Sequence, residues 1–147
     1  MILDEDCSPY LPHQPPLRLI RKIVAQEDDG MVAETVFGDD DFVVGDDGVV
    51  EEAAILELIA QSFAAFHGYE HHRDQRPANT GYLVGIKQFN IHRNARAGET
   101  LRVRVQRTDI FDHFHAGNGT VYLGDERIAD AVITVWIAPD ADTDDGA

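Results

Sequence analysis

Glu57 and Gln61 are the residues of this chain whose types and spacing are best suited to chemistry. They lie in EEAAILELIAQSFAAFHG (51–68), which from Ala53 to Phe66 contains no Lys, Arg or Asp and only three polar side chains, Glu57, Gln61 and Ser62. Residues four apart share one face of a helix, so the carboxyl and the carboxamide are neighbours. Ala53, Ala54, Ala60, Ala64 and Gly68 surround them and leave room for a second backbone or a ligand. Burial disfavours the charged form of a carboxyl, so a glutamate here is either neutralised by a partner or retained for chemistry.

The element that carries the pair is apolar nearly all round, which marks a helix buried in a core. Its apolar run is too short to span a bilayer. Around it the chain reads as strands. LRLIRKIVAQ (17–26) and MVAETVFG (31–38), joined by EDDG, form a hairpin. DDDFVVGDDG (39–48) is loop, the helix spans roughly 50–68, and YEHHRDQRPAN (69–79) is a polar connection. A long strand follows over 80–92. TLRVRVQRTDIF (100–111) alternates strictly, with Leu101, Val103 and Val105 against Arg102, Arg104 and Gln106, as a half-buried antiparallel strand does. A second hairpin over 118–138 turns at GDER. Two strands, one buried helix and four strands describe an α+β domain, a curved antiparallel sheet wrapped around a central helix.

The 147 residues make one domain, 1–147, with its core at about 10–138 and an acidic tail, 139–147, expected to be disordered. A single cysteine, Cys7, excludes an internal disulfide and a cysteine-based zinc site; it is expected in a mobile N-terminus. The start MILDEDC has no secretory pattern, so a cytoplasmic enzyme or binding protein is expected. A net charge of −15 argues against nucleic acid and anionic membranes as partners. Residues 27–52 hold eleven acids and no base, whereas 87–107 hold Lys87, Arg93, Arg96, Arg102, Arg104 and Arg107 against one acid, Glu99. That basic window is either a solvated strand face balancing the acidic surface or an anion site for a phosphate-bearing substrate carrier.

Four stretches, in order, carry a resemblance. LPHQPPLRLIRKIV, ILELIAQ, GIKQFNIHRNARAGETLRVRV and YLGDERIADAVITVWI resemble the opening, active-site helix, strand–turn–strand and last hairpin of the FabZ-type 3-hydroxyacyl-acyl-carrier-protein dehydratases. The resemblance implies the hotdog fold and a homodimer with its active sites between protomers. It implies Glu57 as the general acid that protonates the leaving 3-hydroxyl, held by Gln61, and a backbone amide at the helix start that polarises the thioester carbonyl. The partners implied are acyl carrier protein or coenzyme A thioesters, with no cofactor and no metal. The family's loop histidine is missing from FVVGDDGVVEEAAILE, and VEE replaces a Pro-Gly turn. This pattern is closer to the divergent ApeP-like predicted dehydratases of aryl polyene clusters, whose loop is also short.

The missing base must come from elsewhere. His13, in LPHQP, is the candidate, because the family's N-terminal segment also carries it. His67 stands about 15 Å along the helix from Glu57, too far for a shared site. His71 and His72 read as solvated. His92, Arg93, Arg102 and Arg104, with Gln61, are the candidate substrate contacts, although His92 also reads as an exposed strand-end residue. His113 and His115 lack the neighbours a metal needs, and Asp46–Asp47 reads as a plain turn. Two other readings stand beside dehydration. One is thioester hydrolysis by a lone helix carboxylate; the other is a non-catalytic hotdog subunit that binds acyl chains or pairs with an active partner.

Overall fold

In the computed structural model, residues 2–11, 14–76 and 81–139 are described. Strand β1 (Ile2–Asp6) leads through a 3-10 turn (Ser8–Tyr10) and an irregular segment into β2 (Lys22–Glu27) and β3 (Gly30–Val36). Helix α1 (Glu52–Arg73) follows, then β4 (Gly81–Ile91), β5 (Thr100–Phe111), β6 (Phe114–Leu123) and β7 (Glu126–Ile137). The strands form one antiparallel sheet in the order β1-β2-β3-β5-β6-β7-β4.

Alternation decides which face meets the helix. Met31, Ala33 and Thr35 of β3, Leu101, Val103 and Val105 of β5, and Ala131, Ile133 and Val135 of β7 are buried on the inner face. Ile55, Leu58, Ile59, Phe63 and Phe66 of α1 fill the space above them. The helix sits close to β6 because Gly117 and Gly119 have no side chains: a Cβ on Gly117 would run into the Phe63 ring, and one on Gly119 into Ile59.

The structure corrects the expected outline in four places. The N-terminus is not loose: β1 pairs with β2, and Cys7 is buried, its Sγ donating to the Ile20 carbonyl at 3.0 Å. The helix does not stop at 68 but continues through YEHHR, and His71, expected in solvent, is buried. Strand β6 begins at Phe114, so His115 lies within a strand and only Asp112 and His113 form the turn. Finally, the sheet does not enclose α1 on every side. Glu52, Ala53 and Glu57 are exposed, and Leu56, Ala60 and Ala64 are only half-buried.

Candidate active site on the open face of the helix

Glu57 lies on that open face, one turn after the helix start. The amides of Glu52 and Ala53 head the helix, where no carbonyl a turn earlier can bond them. Gln61, one turn on, is buried and donates from Nε2 to Glu57 Oε1 at 3.1 Å. The same nitrogen donates to the Leu17 carbonyl at 2.7 Å, and Oε1 accepts the Leu19 amide at 2.7 Å. Both amide hydrogens of Gln61 are therefore engaged within the chain, which makes it a support for Glu57. The stretch that crosses the helix here passes over Gly68, where a Cβ would collide with the Tyr10 carbonyl.

Two apolar features border the open face. Leu17 is exposed beside the Gln61 contact. Strand β4, which touches α1, ends the sheet and has no strand outside it among the described residues. Tyr82, Leu83, Val84 and Ile86 on it are 55%, 39%, 54% and 44% exposed, and Lys87 is its only charged residue. Edge strands are normally blunted by charge, and this one presents exposed apolar side chains instead.

The other expected site residues lie elsewhere. Arg102 and Arg104 point away from the helix, because their neighbours Leu101, Val103 and Val105 take the inner face. Arg102 pairs with Glu34 at 3.1 Å and Arg104 with Glu27 at 2.8 Å. Arg93 binds Glu126 at 3.0 Å and Glu99 at 3.4 Å. His92 follows β4 as an exposed strand-end residue, its Nε2 2.7 Å from Asp130 Oδ2. Partial burial pushes the Asp130 carboxyl up, but hydrogen bonds from His92 and Asn90 outweigh it and hold the group below its ordinary value. Arg93, Arg102 and Arg104 are thus each paired with glutamates, and Arg102 and Arg104 stand on the sheet face opposite the helix. His13 lies outside the described residues, as does the tail from 140.

A second polar cluster occupies the far end of the helix. His67 is 9% exposed, and its Nε2 has no hydrogen-bond partner among the described residues. Its ring lies 4.2 Å from that of His71 and 5.8 Å from that of His115, centroid to centroid. Burial pushes the His67 imidazole down to about 4, and His71, His115, Arg107 and Arg76 add to the effect. His115 is also lowered, by burial first and then by Arg107. Arg107 stands 5.0 Å over the Phe66 ring and grips Glu70 with both nitrogens, at 2.8 and 3.1 Å. Among the described residues no group of three or more His, Cys, Asp or Glu is set to hold a metal ion. Nor, among the described residues, is any helix long and apolar enough to cross a membrane.

Comparison with known proteins gives these features a family. No curated protein sequence matches the chain. The solved dehydratase heterocomplex ApeI:P from Xenorhabdus doucetiae superposes with a TM-score of 0.85 at 14% identity, over 96% of each chain. A hypothetical thioesterase with coenzyme A from Streptococcus pneumoniae TIGR4 gives 0.65 at 10% identity, over 80% of this chain and 85% of that one. The smu.793 protein from Streptococcus mutans UA159 bound to acetyl CoA gives 0.65 at 14%, over 87% and 98%. At such identities these likenesses speak for the fold, and the α+β hotdog architecture read from the sequence is the one observed. The family model described as ApeP-like, ApeP dehydratase, matches residues 5–144, and the chain belongs to that family.

Proposed function

We propose that the chain takes part in dehydration of 3-hydroxyacyl thioesters, with Glu57 as general acid. The observation that carries this reading is a carboxyl on an open helix face, gripped by a buried glutamine and about one turn from the first amides of the helix. In the reaction a base removes the C2 proton, the C2–C3 double bond forms, and the C3–O bond breaks as Glu57 gives its proton to the departing hydroxyl, which leaves as water. A helix-start amide beside Glu57 stabilises the charge that develops on the thioester oxygen. His13 is the base in this reading.

The same reading seats a second hotdog chain on β4 and on the open face of α1. That arrangement would cover the exposed apolar edge and exclude water from the site around Glu57. The likeness to the dehydratase heterocomplex ApeI:P supports such pairing, with a copy of this chain or with a homologous one.

Mass spectrometry of a 3-hydroxyacyl thioester, on carrier protein and on coenzyme A, tests the proposal. Loss of water with the native chain, alone or mixed with a homologous hotdog chain, is expected. Glu57→Gln should abolish it with the fold intact, and His13→Ala should reduce it strongly. Free acid in place of the enoyl product would assign hydrolysis instead. No product in any mixture, or full activity in Glu57→Gln, would overturn the reading.

A further inference from the structure

A carboxamide has two ends of nearly the same shape, one an acceptor and the other a donor, and only its neighbours decide which end points where. At Gln61 they are main-chain groups. The Leu19 amide can only donate, so Oε1 must face it, and the Leu17 carbonyl can only accept, so Nε2 must face it. With that orientation fixed, the other Nε2 hydrogen is delivered to Glu57 Oε1. Turned over, the amide would set oxygen against oxygen at both Glu57 and Leu17.

Residue 19 is held from its other side as well. The Thr35 hydroxyl donates to the Leu19 carbonyl at 2.6 Å. Thr35 is buried on the inner face of β3, in line with Met31 and Ala33, where valine would have the same shape and no hydroxyl to satisfy. The Arg21 amide adds a bond to the Glu34 carbonyl at 3.1 Å, carrying the same segment onto β3. The segment is thus bound to the sheet by Thr35 and to the helix by Gln61, both through Leu19.

We infer that Thr35 is a positioning residue for Glu57, acting through the Leu19 backbone and the Gln61 carboxamide. The inference rests on the proposed role of Glu57 only for its effect on turnover; the mechanical coupling from Thr35 to Gln61 stands apart from it.

Thr35→Val removes the hydroxyl and keeps the shape, and Thr35→Ser keeps the hydroxyl. Hydrogen exchange of the Gln61 side-chain amide, identified by its loss in Gln61→Leu, is read against the backbone amide of Phe63 in the same sample. Losing a buried hydrogen bond should speed the Gln61 exchange in Thr35→Val by about tenfold relative to Phe63, with Thr35→Ser close to native. In the dehydration assay, kcat should fall by about tenfold with KM within about twofold, again rescued by serine. A Gln61 amide as protected in Thr35→Val as in the native protein overturns the inference, whatever the activity. So does a loosened Gln61 with unchanged kcat, provided Glu57→Gln abolishes turnover. If the native protein turns over no substrate, the proposed function fails and the exchange result alone decides the coupling.

Discussion

Acidification should weaken the fold in a range where carboxylates are still largely ionised, and His67 sets the size of the effect. A histidine held at about 4 in the folded chain, against 6.5 as its ordinary value, binds its proton more readily once unfolded. Between these values the unfolded state carries the extra proton, so stability falls as the pH drops from above 6.5 toward 4. Going from about pH 7.5 to about pH 5 costs roughly 2 kcal/mol from this residue alone, and the full loss below its folded value is about 3 kcal/mol. His115, lowered for the same reason, adds to the slope. Among the described residues no carboxylate relieves the charge: His67 faces His71 on its own helix, His115 on β6, Arg107 on β5 and Arg76 beyond the helix, and Glu70 is already engaged by Arg107. With a urea m-value of about 2 kcal/mol/M, the unfolding midpoint should move by roughly 1 M. His67→Leu removes the titrating group and the orphaned Nε2 together, so it should be at least as stable as the native chain near neutrality and should lose about 2 kcal/mol less on acidification. Equal midpoints at the two pH values for the native chain, or the same drop in His67→Leu, would refute the argument.

Two further outcomes follow from packing. Gly117→Ala should destabilise by about 2 kcal/mol or more, since the new methyl meets the Phe63 ring and the Gln106 carbonyl oxygen at 2.6 Å. Gly85→Ala on β4, whose nearest contact would be Thr134 at 3.6 Å, should be near neutral; thermal unfolding of both variants checks the contrast. Arg107→Met should cost about 3 kcal/mol, measured by urea unfolding, because Glu70 keeps a partly buried charge without its partner, and adding Glu70→Gln should recover part of the loss.

Local signals made much of the fold legible in the sequence. The strict alternation of 100–111 gives β5 with its observed bounds, and the apolar run gives α1 its start. Polar side chains conceal what the sequence does not reveal. YEHHR looks like a connection, yet His71 sits four residues after His67 on the same buried face. The acids of β1 hide a strand that covers Cys7. Gly117 reads as a loop residue, although its absent side chain is a packing requirement. The arginines of the basic window looked unbalanced because their partners, Glu27 and Glu34, are distant in sequence and meet them only through strand register. The site was half legible. The Glu57–Gln61 pair follows from helical spacing, but its exposure does not, since an alanine-rich face reads the same whether its own sheet or a second chain covers it. Nothing in the sequence points to Leu17, Leu19 or Thr35, because two of them act through main-chain atoms.

The position of Cys7 makes it a natural reporter. Burial first, with Asp6 adding, raises the thiol to about 11, and its hydrogen is given to the Ile20 carbonyl. At neutral pH almost no thiolate is present, and the thiolate is the nucleophile. Alkylation of the native chain must therefore wait for β1 and the segment behind it to lift away, so the labelling rate measures the frequency of that opening. The opening exposes the same stretch of backbone that orients Gln61, which makes a single unmodified sulfur a clock for the motion most able to disturb Glu57.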